Sequence, residues 1–173
     1  MKNKTKWILI VFLLSFILSA IFSAISTSMA NSFNTIILVF ITLAVIAIGI
    51  IFDMIGVAVL TCKESNLHAK ASKKLKGAKQ AINLIKNSTK VSSVCNDVIG
   101  DICGIVSGSL GAALTLDIIG IINISSVIIT VIITALISSV TVGFKAVFKD
   151  VAEKNSDIIV FTVGKILSIF KKS

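Results

Sequence analysis

The sequence predicts an all-α, polytopic transmembrane helix bundle, and three observations carry that prediction. The 173 residues are 55% hydrophobic and only 14% charged, with no proline; mean hydropathy is +1.04. That composition fits an integral membrane protein far better than a soluble domain. Uncharged runs long enough to cross a hydrocarbon core of about 30 Å recur along the chain. All 17 basic residues are lysines. They fall in three blocks, Lys2 to Lys6, Lys63 to Lys90 and Lys145 to Lys172, which alternating spans place on one side.

Residues 7 to 28 form the first apolar run. Lysines before it hold the amino end in the cytoplasm. Ser28-Met29-Ala30 also fits a signal-peptidase site, so residues 1 to 30 read either as a first span or as a cleaved signal peptide. Four spans result in the first case and three in the second. Residues 35 to 61 return the chain to the cytoplasm, broken only by Asp53. Alone, Asp53 reads equally as a hydrated interfacial acid and as a functional one.

Between 63 and 90 the pattern changes. Leu67, Ala71, Leu75, Ala78, Ile82 and Ile85 recur at the helical period, with Lys70, Lys73, Lys74, Lys76, Lys79 and Lys86 between them. This predicts a basic amphipathic helix, or a helical pair broken near Gly77, lying on anionic lipid with Lys70, Lys73, Lys74 and Lys79 at the membrane surface. His68 reads as a surface residue, and Asn87-Ser88-Thr89 as a turn or a fresh helix start.

Residues 91 to 113 go back out and carry the sharpest functional signal. As a helix they stack Asp97, Gly100, Asp101, Gly104, Ser107, Gly108 and Gly111 on one stripe. Gly100, Gly104 and Gly108 make overlapping small-xxx-small steps for close helix packing, which predicts that this face is buried in protein. Two acids at membrane depth need water, a cation or a donor, since each costs about 2.5 to 3.5 kcal/mol even on the lenient insertion scale. Hard divalent cations take oxygen ligands, so Asp97, Asp101 and Asn96, supported by Asp53, are the candidate metal residues, with Mg²⁺ the expected ion. Acids satisfied by hydroxyls and amides in a packed bundle, or a proton relay, remain as alternatives.

Leu114 to Asp117 read as a short outer turn. Residues 118 to 143 read as the last span, with Ser, Thr and Asn123 available to bond neighbouring helices, stopped inside by Lys145 and Lys149. The apolar run Ile158 to Phe170 is too short to cross and predicts a second interfacial helix. Cys95 and Cys103 read as small packing residues, and Cys62 as lying at the cytoplasmic edge.

The net charge of +9 is explained by the lysine blocks and not by nucleic acid. No enzyme is expected, since a nucleophile-base pair, a His cluster and a catalytic-sized soluble domain are all missing from the sequence pattern. A non-transporting membrane scaffold is the rival function, and a holin-like membrane-active peptide a weaker one.

From Phe52 to about Ala113 the chain resembles the membrane domain of the CorB/CorC and cyclin M group of magnesium and cobalt transporters. Phe52-Asp53-Met54-Ile55-Gly56-Val57-Ala58 sits where that family has Phe-Ser-x-Ser-Glu-x-Ala. Lys76-Gly77-Ala78-Lys79 is similar to its basic belt, and Asp97-Val98-Ile99-Gly100-Asp101 to its Asn-x-x-x-Asn segment. The resemblance implies a homodimer of the bacterial inner membrane, with residues 31 to 143 as the membrane domain and 144 to 173 as a basic interfacial helix. It further implies a partly dehydrated Mg²⁺, possible Co²⁺ transport and no organic cofactor. The family's asparagine pair is here aspartate, and its Gly-Glu-x-x-Pro-Lys ending is Gly143-Phe144-Lys145.

Overall fold

A computed structural model of the chain describes residues 2–119 and 126–170. These are helical with no strand, as the fold class requires. In a bilayer core a helix satisfies every backbone N–H and C=O within its own segment. Helix α1 is Lys2–Ser32 and α2 is Thr35–Thr61. The short break at Phe33 and Asn34 restarts helix when the Leu38 N–H donates to the Asn34 carbonyl at 3.1 Å. After Cys62 and Lys63 come α3, Glu64–Ser72, and α4, Ala78–Lys86. Then follow α5, Ser88–Ser92, a π-helix at Ser93–Gly100, and α6, Asp101–Ile119. The chain closes with α7, Ser126–Lys154, and α8, Ser156–Phe170. Four stretches are long and apolar enough to cross a membrane: Lys6–Met29, Thr35–Thr61, Ser88–Thr115 and Val127–Lys154.

One expectation about the last spans is corrected. Leu114 to Asp117 are not a turn, because α6 runs through them to Ile119. Nothing in Leu-Thr-Leu-Asp breaks a helix, there being neither glycine nor proline. Helix α7 continues past Lys145 and Lys149 to Lys154. Asn123, Lys171 and Lys172 lie outside the described residues.

The chain divides into two compact units, Met1–Ile50 with Val98–Phe144, and Ile51–Asp97 with Lys145–Ser173. In the first, α1 packs on α6. Val98, Ile102, Val106, Leu110 and Leu114 form a buried ridge at intervals of four, joined by Leu38 and flanked by Val11, Leu18, Ile41 and Val45. Gly49 lies against Cys103, where an added Cβ would come 2.9 Å from the cysteine Cβ. The hydroxyls of the spans mostly serve their own helices. Thr42 donates to the Leu38 carbonyl at 2.8 Å, and Thr134 and Thr141 to the Thr130 and Ile137 carbonyls at 2.7 Å. Thr130 and Thr115 form the interhelical hydroxyl contact, at 3.4 Å.

In the second unit, Val57, Ala58, Val59, Cys62, Leu67, Ala81, Ala152 and Val160 make the core. The basic belt is a helical pair with its break at 73–77. Lys74 and Gly77 take left-handed φ values of 53° and 91° there. Gly77 can do so without Cβ strain, and it also receives α8 at backbone distance. A Cβ on Gly77 would lie 2.5 Å from Lys165 Cα, and one on Gly164 would lie 2.6 Å from the Gly77 carbonyl. Thus α4 and α8 meet backbone to backbone, with Ala78 and Ala81 facing Val160 and Gly164 as buried residues.

Lys70, expected at the membrane surface, is turned onto α8. Its Nζ lies 4.7 Å from the Phe161 ring centre, 3.9 Å from Asp157 Oδ2, and donates to the Asp157 carbonyl at 3.3 Å. Lys73, Lys74 and Lys79 are exposed. His68 is also exposed, with its Nε2 3.1 Å from Glu64 one turn earlier. Burial, with a smaller push from Asp157, raises the Cys62 thiol above its usual range, against the opposing pull of Lys70.

Gly164→Ala should destabilise the protein by about 1–3 kcal/mol through overpacking, whereas Gly143→Ala, which meets no atom within 4 Å, should be neutral. Thermal unfolding in detergent reads the difference, and equal midpoints for the two variants contradict the close contact. In a Cys95→Ala/Cys103→Ala chain, alkylation of Cys62 should start at a higher pH than alkylation of an exposed thiol, because the thiolate is the nucleophile. A pH profile matching that of free cysteine contradicts the buried placement.

Candidate functional site

A polar centre forms inside the second unit where α2 meets the π-helix and α7. Asp53 is on α2, and Gly56, three residues on, shares its face. The Lys145 ammonium, from α7, lies 2.8 Å from Asp53 Oδ2. The two side chains keep only 22% and 27% of their exposure, so the pair is largely shielded. Asp53 stands eight residues before the end of α2 and Lys145 nine before the end of α7. That common depth lets the two charges meet.

Asn96 fills the space at Gly56. A Cβ on Gly56 would collide with the Asn96 carboxamide oxygen, so any larger residue there would push this side chain out of its place. The Asn96 Nδ2 donates to Ser92 Oγ at 3.4 Å, one turn back. Its Oδ1 is buried and has no hydrogen-bond partner. Leaving a buried acceptor unsatisfied costs about 1–3 kcal/mol, so this atom stands out among the buried side-chain polar atoms of the described residues. Cys95, beside it, is buried.

The π-helix was not legible in the glycine-and-acid pattern, which reads as uniform α-helix. It covers Ser93–Gly100 and so includes Asn96 and Asp97, while Asp101 opens α6. Wide turns of this kind occur as insertions within α-helices, often at functional positions. Asp97 and Asp101 are both exposed. Gly100 is buried, but Gly104 and Gly108 are exposed, and a Cβ on either would meet nothing within 4 Å. Ser107 and Gly111 are buried too, so the face expected to be buried in protein is open within one chain only at Asp97, Asp101, Gly104 and Gly108. Among the described residues, no three His, Cys, Asp or Glu side chains gather as a metal-binding group.

The residues thus sort into two sets. Asp53 and Asn96 are brought onto facing elements of one unit. Asp97 belongs to that unit and Asp101 to the other, both at the surface. Sequence reasoning missed Lys145 as the partner of Asp53, and Gly56 and Ser92 as the cradle of Asn96. No local pattern signals the Asp53–Lys145 pairing, which depends on how α2 and α7 pack.

Removing one partner of a shielded pair strands the other charge. Lys145→Met should destabilise the fold by about 1–3 kcal/mol, less than a fully buried pair because some water reaches it. Asp53→Asn combined with Lys145→Met should recover much of that loss. A double-mutant cycle on unfolding midpoints in detergent measures the coupling, and strict additivity excludes the pair.

No family model matches the chain, and no curated protein or solved structure matches it either.

Proposed function

We propose that this protein binds a divalent cation, Mg²⁺ first and Co²⁺ second, and passes it across a bacterial cytoplasmic membrane as a homodimer with its lysine blocks inside. The observation that carries the reading is the buried, unpartnered Oδ1 of Asn96. An acceptor with no donor, next to an acid on the facing helix, is suited to a hard cation that takes oxygen ligands. Asp53 is already neutralised by the Lys145 ammonium at 2.8 Å, so a cation reaches this carboxylate by displacing that ammonium. In this mechanism an entering ion and Lys145 compete for Asp53, and their repulsion at close range favours release. Asp97 and Asp101, exposed on the same long helical stretch, hold the ion through its retained waters before or after the inner position. The family resemblance supports the same ion class.

A second reading, a non-transporting scaffold, is favoured by one observation: Gly104 and Gly108 stand open. On that reading the stripe serves only to seat a partner helix. Gly104→Leu would then abolish assembly, while exchange of the acids for asparagine would change nothing.

Mg²⁺ flux into proteoliposomes containing a magnesium-sensitive dye separates the two. Asn96→Ala, and separately Asp97→Asn with Asp101→Asn, should each reduce flux by about tenfold or more while circular dichroism stays unchanged. Well-folded wild-type protein that passes no Mg²⁺, with or without a sodium gradient, excludes transport. Flux unaltered in these variants excludes the ligand assignment.

A further inference from the structure

The second unit carries a groove that the cation reading does not use. It runs between α4 and α8 and has a volume of ≈ 720 Å³. Helix α4 buries Ala78 and Ala81 against α8. Its other side presents Lys79, Asn83 and Lys86 at intervals of four and three, one stripe about 10 Å long at 1.5 Å per residue. All three are exposed. Among the described residues, Lys70, Lys145 and Lys154 have carboxylate partners, whereas no ion pair engages Lys79 or Lys86.

The opposite wall is apolar. Ile82 contributes from α4, and Leu167 and Phe170 from α8. Leu167 is 39% exposed and Phe170 is 84% exposed. A solvated groove would not be expected to display a phenylalanine so openly at the end of an amphipathic helix. A hydrocarbon environment accommodates it. Two unpaired ammonium groups and a carboxamide thus edge an apolar trough in a unit whose α2 and α7 reach into the membrane.

We propose that the α4–α8 groove is a binding site for one anionic phospholipid. The phosphate sits between Lys79 and Lys86, with Asn83 donating to it, and the start of an acyl chain lies along Ile82, Leu167 and Phe170. The volume suits a ligand of that size, since small-molecule sites run from about 300 to 1,000 Å³. Charge complementarity selects the occupant. An anionic headgroup supplies the countercharge that no carboxylate among the described residues supplies, and the tail covers the apolar wall. This site differs from a diffuse attraction of the lysine belt to the leaflet, because Lys73 and Lys76 carry equal charge in the turn and do not line it. It is independent of the cation reading, sharing no residue with it.

The test uses the full chain in non-ionic detergent, with native mass spectrometry reading bound lipid. Phosphatidylglycerol should be retained about tenfold better than phosphatidylcholine. Lys79→Gln with Lys86→Gln should cut its retention by about thirtyfold, at about 1 kcal/mol per lysine. Lys73→Gln with Lys76→Gln, the same change of charge outside the groove, should alter it by less than about twofold. Leu167→Ala with Phe170→Ala should also weaken retention, and millimolar inorganic phosphate should not displace the lipid. Equal retention of the two lipids, or equal losses from the two lysine pairs, overturns the proposal. So does displacement by free phosphate, or indifference to the apolar substitutions.

Discussion

A carboxylate carried into an apolar helix must meet positive charge, and the arrangement of the second unit follows from how Asp53 does so. Its partner is Lys145, drawn from another helix at a similar distance from its end. The lysine's long stem packs while its ammonium reaches inward, and α7 continues as helix to Lys154. The unit is assembled from two separate stretches of chain, 51–97 and 145–173. The Asp53–Lys145 and Lys70–Asp157 contacts both join one stretch to the other. Opposite charges on distant segments thus specify which ends come together, a role better attested for shielded pairs than net stabilisation.

Glycine does the complementary work of distance. At Gly56 the missing Cβ is replaced by a carboxamide, and at Gly77 and Gly164 by another helix backbone. These positions are filled within the chain. Gly104 and Gly108 are not. They lie on the side of α6 opposite its buried ridge of Ile102, Val106, Leu110 and Leu114, in company with exposed Asp101 and Ala112. Small residues facing lipid forgo packing. A second copy covering this stripe would restore it, which is the physical ground for the homodimer in the proposed function.

Much of the architecture was legible because hydrophobic length and lysine position are read directly from a membrane sequence. The second span, 35–61, has the bounds of α2, and the break in the belt falls at Gly77, where a periodic apolar stripe meets the residue best able to turn left-handed. Other features depend on information that no local pattern holds. Ser93–Gly100 contains nothing that separates π-helix from α-helix, since the wide turn depends on what packs against it. The end of α6 was misplaced because a charged residue was taken for a loop where no helix breaker stood. Lys70 was assigned to the lipid surface by its charge, while its contact with Phe161 is a tertiary fact. Within the candidate site, the residue types were visible and the pairings were not. Asp53 and Asn96 stood out as polar groups in apolar runs, but Lys145 and Gly56 acquire meaning only once three helices are placed together.

The all-lysine composition is the last feature that the structure makes physical sense of. A positive-inside pattern alone would treat the 17 lysines as interchangeable, yet their surroundings divide them. Lys70 and Lys145 are held by acids on other helices and act as joints. Lys154 pairs with Asp150 along its own exposed helix at 2.6 Å, a contact of little energetic weight. Among the described residues no acid pairs with Lys79 or Lys86, but their flank is apolar. A flexible four-carbon stem suits each role, since it can lie along hydrocarbon while its compact charge finds a carboxylate or a phosphate. What decides the role of each lysine is therefore the surface beneath its stem and the charge within its reach, and the groove between α4 and α8 is where an apolar surface occurs without a compensating acid.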